Sequence, residues 1–246
     1  MSTLIIDIET VGETWDELDS VTQDGLTRWL HQTTRDTTEY EAKLLDIKAG
    51  LGFSPLTGNI VALGVYDIER KQGTVYYQSD ESDADERVGA FTYRSRPEAA
   101  MLEEFWEGVA QYETVVTFNG RSFDVPFLLH RSVICEVVPT VDLMRYRYLT
   151  QQVPPYHIDL ADQLTFYGAI QKRPSLHMFC RAYGIESPKS HGVSGDDVAG
   201  LYAAKRFRDI ARYNAHDLLA TALLYEKWRM YLAPTQFRKQ AEPIDF

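Results

Sequence analysis

The first residues of the chain hold the feature that most constrains its fold, an alternation of apolar and acidic side chains. Positions 4, 6 and 8 are Leu, Ile and Ile, so in an extended chain their side chains share one face. Asp7 and Glu9 lie next to each other on the opposite face. The sequence therefore predicts a first strand that carries two neighbouring carboxylates on one of its faces.

Three further segments have the composition of strands. Residues 59–68 are an almost continuous apolar run, which is typical of a strand buried on both faces. Residues 73–79 are rich in β-branched and aromatic side chains, and residues 69–72 fit the loop of a hairpin between these two strands. A short strand is predicted at 114–118, whereas the charged run 80–86 is expected to be a solvated loop.

Helices are predicted mainly in the last third of the chain. Before it, Pro97 opens one helical pattern and Ser122 is placed to cap another. In the last third we expect a helix capped by Ser175 and ended by Gly184, a helix from Ser194 to Lys205, and a long helix from about Phe207 to Tyr231.

The segment 11–58 is too long to be a simple connection between the first two strands. It contains helical patterns of its own, with apolar residues such as Leu26, Trp29 and Leu30. The chain shows no internal repeat and no linker rich in Gly, Ser or Pro. We therefore expect residues 1–246 to form a single domain, in which 11–58 is an inserted segment or lid.

Four carboxylates and one tyrosine are candidates for a catalytic site. Asp7 and Glu9 share a strand face, and Asp124 follows a strand end in the first turn of a helix. Tyr213 and Asp217 are four residues apart on the last helix, so they face the same way. Carboxylate oxygens suit Mg²⁺ or Mn²⁺, and phosphodiester cleavage by two such ions needs several carboxylates from different elements. Each feature alone has an ordinary structural explanation, but together they indicate metal-dependent chemistry on phosphodiesters.

The order of these residues resembles the DEDD superfamily of 3′-to-5′ exonucleases, in the branch with tyrosine in the third motif. The motifs are Asp-Ile-Glu-Thr at 7–10, Phe-Asn-Gly-Arg-Ser-Phe-Asp at 118–124 and Tyr-Asn-Ala-His-Asp at 213–217. The histidine branch would have His at position 212, which is Arg here. The chain looks most like stand-alone proteins related to the proofreading exonuclease domain of family-B DNA polymerases, and the stretch His-Ile-Asp-Leu at 157–160 fits that relation.

The resemblance implies a ribonuclease H-like fold of the α/β class, a mixed sheet of about five strands flanked by helices. It implies that Asp7 bridges two divalent ions, and that Glu9 and Asp217 complete the site of the ion that activates water. Asp124 would hold the second ion through waters, and Tyr213 would position the attacking water. Substrate contacts are implied for Thr10, Asn119 and Phe123.

Charge and composition limit the other possibilities. A net charge of -11 argues against a protein that coats nucleic acid nonspecifically. It does not exclude a nuclease, because bound cations reverse the local sign of their carboxylate ligands. The apolar runs are too short for a bilayer and the first residues lack a basic signal region, so no membrane partner is expected. The only cysteines, Cys135 and Cys180, favour a reducing, cytoplasmic setting.

Two basic segments have competing explanations. The run Arg145-Tyr146-Arg147-Tyr148 mixes cations with aromatic rings, as a track for single-stranded nucleic acid should. The same run also fits one face of an amphipathic helix. The Lys-Ser-His stretch at 189–191 either approaches the active site or is an ordinary loop.

Four functions are compatible with these patterns. The leading hypothesis is a Mg²⁺- or Mn²⁺-dependent exonuclease that removes nucleoside 5′-monophosphates from the 3′ end of single-stranded DNA. A ribonuclease that trims RNA 3′ ends differs from it only in tolerance of the 2′-hydroxyl. The third hypothesis is a catalytically silent nucleic-acid-binding module. The clustered carboxylates argue against it, because a module that binds no metal has no physical need of charges that repel one another. The fourth hypothesis is a phosphoryl-transfer enzyme that acts on small nucleotides. It is weaker, because the sequence has no Gly-rich phosphate loop of the Walker type. The sequence predicts no particular protein partner.

Overall fold

A mixed β-sheet of seven strands forms the centre of the computed structural model, which describes residues 2–80, 84–172, 174–187 and 195–238. The strands are β1 (Thr3–Gly12), β2 (Gly58–Asp67), β3 (Gln72–Tyr77), β4 (Glu86–Val88), β5 (Phe91–Ser95), β6 (Thr114–Thr117) and β7 (Tyr156–Asp159). Their order across the sheet is β4-β5-β3-β2-β1-β6-β7. β1 is antiparallel to β2 and parallel to β6, so it lies inside the sheet. The predicted mixed sheet is confirmed, and the expected count of about five strands is corrected to seven.

The strands that the sequence did not reveal are short and depend on their neighbours. β4 has three residues, all exposed, and it begins at Glu86, the last residue of the predicted charged loop. β5 pairs with β3 and β4, and β7 pairs with β6. Segments of three to five residues carry too few alternations to be distinguished from loops by their own pattern.

Eight α-helices accompany the sheet in the described residues. They are α1 (Ser20–Thr33), α2 (Thr37–Gly50), α3 (Glu98–Val109), α4 (Asp124–Ile134), α5 (Leu160–Leu164), α6 (Leu176–Tyr183), α7 (Val198–Ala203) and α8 (Phe207–Tyr231). None of these helices combines the length and the apolar character that crossing a bilayer requires.

Two apolar cores lie on opposite faces of the sheet, and the alternation of β1 divides its side chains between them. Leu4, Ile6 and Ile8 join a core with residues of α3 and α4. Ile5 and Val11 join a core with residues of α5 to α8. The predicted alternation is confirmed, and it places Asp7 and Glu9 on the α8 side of the sheet.

The helix ends agree with the sequence in some places and correct it in others. α8 runs from Phe207 to Tyr231 as predicted. α6 is capped by the Ser175 side chain and ends at Gly184, whose φ of 68° is left-handed and suits a residue without Cβ. α4 begins at Asp124 with Phe123 as its cap residue, one position after the predicted Ser122 cap.

Two predicted features fall partly or wholly outside the described residues. The helix predicted from Ser194 to Lys205 is observed as α7, which ends at Ala203. Its proposed cap at position 194 and the basic stretch at 189–191 lie outside the described residues.

The predicted insert is helical, and it leaves and rejoins the sheet at one point. β1 extends to Gly12, which pairs directly with Gly58 at the start of β2. The bounds 11–58 are therefore corrected to 13–57. The insert contains α1 and α2, whose first turns are capped by the side chains of Asp19 and Asp36. Its last turn is fixed to the end of β1, because the Thr10 hydroxyl donates to the carbonyl oxygen of Gly52 at 2.7 Å.

Helix α8 crosses β2 closely at Gly64. A Cβ atom at this position would lie 1.9 Å from Oδ1 of Asn214 and 2.6 Å from Cδ1 of Leu218. In the β1–β2 register Gly64 is the partner of Asp7. The absence of a side chain at Gly64 therefore lets α8 approach the strand pair next to the acidic residue.

We predict that Gly64→Ala lowers the free energy of unfolding by about 1–3 kcal/mol, because the added methyl group overpacks the contact with α8. Gly25→Ala is the matched control, since a Cβ at that exposed position in α1 would meet nothing within 4 Å. The control should raise stability by about 0.5–1 kcal/mol. Urea unfolding followed by circular dichroism measures both. Equal stability of Gly64→Ala and wild type would contradict the close approach.

Candidate functional site

Three acidic side chains from β1 and α8 meet on one face of the sheet. One oxygen of each of Asp7, Glu9 and Asp217 lies within 4.8 Å of the other two. Glu9 is buried, while Asp7 and Asp217 are half-buried. The structure thus brings together three of the four acidic residues that the sequence marked.

Asp124 lies beside this cluster, at the first position of α4. Its carboxylate is buried, and Oδ1 accepts a hydrogen bond from the backbone N–H of Ile8 at 3.1 Å. Ile8 is the residue between Asp7 and Glu9 in β1. This bond therefore fixes α4 against the strand that carries the acidic pair, and the start of a helix favours a negative charge there.

Asn214 is a member of the site that the sequence analysis did not single out. It is fully buried, and its Nδ2 donates to Oδ2 of Asp7 at 2.8 Å. A hydrogen bond from the same side chain also lowers the pKa of Glu9, against the stronger effects that raise it. Asn214 lies directly after Tyr213 within the third motif, and its placement over Gly64 could be known only once α8 was packed on β2.

Burial and mutual repulsion raise the pKa values of the acidic residues. Loss of hydration is the largest cause of the raised pKa of Asp7, followed by the charges of Asp124, Asp217 and Glu9. The pKa of Glu9 is raised for the same reasons, and that of Asp124 is raised to about 7. Such a cluster is stabilised either by protons or by cations.

The donor set fits a divalent metal ion. All the candidate ligands are carboxylate oxygens, which hard ions such as Mg²⁺ and Mn²⁺ prefer. They converge from a strand and a helix that are packed on each other, so the ligands are held together before an ion binds. Two charges of the same sign at this separation also need a counter-charge when ionised.

Tyr213 presents a protonated hydroxyl to the cluster. The residue is buried, and its hydroxyl hydrogen bonds to Asp217 one turn further along α8. Burial and the charges of Asp217 and Glu9 raise the pKa of the phenol well above its usual range. At neutral pH Tyr213 is therefore a hydrogen-bond donor next to the carboxylates.

A cavity of about 430 Å³ opens beside the carboxylates. Its lining includes Asp7, Tyr213 and Asp217, together with residues from the start of α6. Asn119 also lines it, and its contact with substrate stays a prediction. The cavity therefore places acidic side chains, one phenol and one amide around a single volume.

The other two expected substrate contacts have structural partners. The Thr10 hydroxyl is bonded to the insert at Gly52, and the Phe123 ring packs on Phe127 with 5.4 Å between ring centroids. Both side chains remain partly exposed. Their contact with substrate stays a prediction.

Asn119 is held at the cavity by Asp159. The backbone N–H groups of Asn119 and Arg121 each donate to a carboxylate oxygen of Asp159 at 2.9 Å. Asn119 has a left-handed φ of 65°, which an Asn tolerates better than most residues. Asp159 also caps the first turn of α5 by accepting from Ala161 N–H at 2.9 Å. Asp159 therefore joins the loop that carries Asn119 to the first turn of α5.

His177 is a second residue of the cavity that the sequence analysis missed. It belongs to the first turn of α6 and lines the cavity together with Ser175 and Leu176. Its Nδ1 lies 2.7 Å from Oγ of Ser187, a contact that orients the ring. The sequence marked Ser175 as a helix cap, but the direction of α6 toward the carboxylates depends on tertiary packing.

Comparison with known proteins places the chain in a family. The model of a family described as "Predicted 3′-5′ exonuclease related to the exonuclease domain of PolB" matches residues 70–243. Among solved structures, a family B DNA polymerase from the hyperthermophilic archaeon Pyrobaculum calidifontis has a similar fold, with a TM-score of 0.55 and 18% sequence identity. The match covers 92% of this chain and 24% of the polymerase, so this chain spans about a quarter of that protein. A search of curated proteins finds no match.

Protonation of Asp124 should link stability to pH in the metal-free protein. Its pKa is about 7 in the folded state against 3.8 ordinarily, so between these values the folded protein keeps a proton that the unfolded chain has lost. The stability due to this proton is therefore lost as pH rises from about 4 to about 7.

We predict that Asp124→Asn in EDTA weakens this pH dependence and raises the free energy of unfolding at pH 8 by up to about 4 kcal/mol, at 1.36 kcal/mol per pKa unit. The amide keeps an oxygen acceptor for the Ile8 N–H. Thermal melts between pH 4 and 8 measure the effect, with Asp46→Asn, an exposed acid on α2, as the matched control. A variant that follows the wild-type pH profile would contradict the shifted pKa.

Proposed function

The chain belongs to the family of predicted 3′-5′ exonucleases related to the exonuclease domain of PolB, and we propose that it is a metal-dependent exonuclease that degrades single-stranded DNA from its 3′ end. Its products are nucleoside 5′-monophosphates. The fold is ribonuclease H-like, in agreement with the similarity to the polymerase structure. We infer DNA rather than RNA as the substrate, because the protein with the similar fold is a DNA polymerase.

The observation that carries the proposal is the convergence of three carboxylates within 4.8 Å of one another beside an open cavity. Asp7, Glu9 and Asp217 would hold one divalent ion, and Asp124 would take part in holding a second. When bound, such ions lower the pKa of a water molecule and neutralise charge on the scissile phosphate. Mg²⁺ and Mn²⁺ are the ions that this oxygen donor set suits.

The remaining residues have positioning roles. Asn214 holds the Asp7 carboxylate through its 2.8 Å hydrogen bond and so fixes the direction in which the acid faces. The raised pKa keeps the Tyr213 hydroxyl protonated. This hydroxyl orients the attacking water through a hydrogen bond. Asn119, which lines the same cavity, contacts the terminal nucleotide. The reaction breaks the P–O3′ bond, and water supplies the oxygen of the released 5′-phosphate.

We predict that the purified protein shortens 5′-labelled single-stranded DNA stepwise in Mg²⁺ or Mn²⁺, and that EDTA stops the reaction. Asp7→Asn should abolish turnover because it removes charge from the shared ligand, while its oxygen keeps an acceptor for Asn214. A gel assay on DNA and on RNA of the same sequence measures both activity and sugar preference. Metal-independent cleavage, or full activity of Asp7→Asn, would contradict the proposal.

We also predict different effects for the two α8 residues. Tyr213→Phe should lower kcat by about 10- to 100-fold, because it removes a hydrogen-bonded partner of Asp217 and leaves the acid in place. Asp217→Ala should lower kcat further, because it removes one of the carboxylates. Single-turnover rates at saturating Mg²⁺ compare the two variants. A larger loss in Tyr213→Phe would overturn the assigned roles.

A further inference from the structure

A second cleft, of about 220 Å³, lies next to the catalytic cavity and has no part in the site described above. It is lined by Arg145, Tyr146, Val153, the prolines at 154 and 155, and the buried His157. We call it the Tyr146 cleft. Its walls combine the Tyr146 ring, the proline rings, the Arg145 side chain and one carboxylate, that of Asp142.

Side-chain hydrogen bonds hold the loop that forms the rim of this cleft, although residues 142–148 are neither helix nor strand. The Arg121 guanidinium donates to the carbonyl oxygens of Leu143 and Met144 at 3.2 and 3.0 Å. Gln152 Nε2 donates to the carbonyl oxygen of Tyr146 at 2.8 Å. These side-chain bonds hold the loop in one shape, so a ligand would not have to order it.

The two arginines of this loop have different surroundings. Arg147 forms two hydrogen bonds with the Asp162 carboxylate, at 2.8 and 2.6 Å. Arg145 is exposed and forms no ion pair with any residue that the structure describes; its guanidinium lies 5.5 Å from the Tyr146 ring centroid. Tyr146 is 42% exposed. In a chain of net charge -11, this leaves one cation and one aromatic ring facing outward together.

The cleft and the catalytic cavity are neighbours along β7. His157 lines the cleft, and Asp159 lies two residues further on the same strand face, about 6.6 Å away at 3.3 Å per residue. Asp159 holds the backbone of Asn119, which lines the catalytic cavity. Arg121 joins the two regions, because its backbone binds Asp159 and its side chain binds the loop.

We propose that the Tyr146 cleft binds a nucleotide of a single-stranded nucleic acid upstream of the 3′ end held in the catalytic cavity. A base stacks on the Tyr146 ring, and the adjoining phosphate pairs with Arg145. The amphipathic-helix explanation of the Arg-Tyr run does not apply, because the segment is not helical. This proposal rests on the proposed exonuclease function and adds a substrate subsite to it.

Substrate length provides the first test. For wild type, kcat/KM should rise from dinucleotide to octanucleotide as upstream nucleotides reach the cleft. Tyr146→Ala should reduce this rise by about 5- to 150-fold, the range that stacking of one base on an aromatic ring provides. Tyr231→Ala is the matched control, since this exposed tyrosine lies about 27 Å along α8 from Tyr213 at 1.5 Å per residue. A wild-type length dependence in Tyr146→Ala would overturn the proposal, as would an equal loss on dinucleotide and octanucleotide.

Binding without turnover provides the second test and separates this proposal from the proposed function. Fluorescence anisotropy in EDTA with a 5′-fluorescein oligothymidylate gives Kd at several salt concentrations. Arg145→Ala should reduce the slope of log K against log salt by about 0.7, the value for one lost phosphate contact on a single strand. Arg87→Ala, at the opposite edge of the sheet in β4, should keep the wild-type slope.

The outcomes of the two tests are distinct. Binding that weakens in Tyr146→Ala and Arg145→Ala supports the subsite, even where the wild-type protein hydrolyses nothing and the proposed function fails. Active wild-type protein whose binding is the same in all four variants overturns the subsite and leaves the proposed function standing. Thermal melts of each variant confirm that the fold is intact.

Discussion

Three carboxylates of β1 and α8 repel one another at a place where burial removes much of the water that would screen them. At 4.8 Å, two unit charges repel by about 3.5 kcal/mol with an effective dielectric constant of 20. Three such pairs would approach the whole stability of a typical domain, which is about 5–15 kcal/mol. The raised pKa values are one response to this repulsion, and bound cations are the other.

The two apolar cores and a few specific hydrogen bonds hold the acidic residues in this arrangement. α8 packs on β2 at a glycine, which brings Asn214 within hydrogen-bonding distance of Asp7. α4 is fixed to β1 from the other side through the bond between Asp124 and Ile8 N–H. Because these contacts come from both layers, the relative positions of β1, α4 and α8 determine the geometry of the site.

The sequence allowed the prediction of features that depend on local pattern. The alternation in β1 and the bounds of α8 follow from side-chain periodicity, and the ends of α6 follow from a serine cap and a glycine in a left-handed conformation. The short strands β4, β5 and β7 depend on partners distant in the chain, so their own residues carry little information. Asn214 and His177 were missed because their roles depend on which way a packed helix faces.

The family match begins at residue 70, after the strand that supplies Asp7 and Glu9. Those two residues were connected to the rest of the site by the sequence motifs and by the position of β1 between β2 and β6. The structure therefore brings two acidic residues that the family model leaves unmatched next to Asp217, which it matches.

The pairing of Gly12 with Gly58 has a consequence for how such chains can diverge. The residues on either side of the insert are direct neighbours in a β-ladder. A short turn could therefore join β1 to β2 without changing the order or register of the sheet. The entropic free energy of closing a loop grows only slowly with its length. Inserts of very different size can therefore be accommodated there with similar loss of entropy. The insert can thus vary independently of the sheet. Proteins that share these acidic residues can differ completely at the β1–β2 junction.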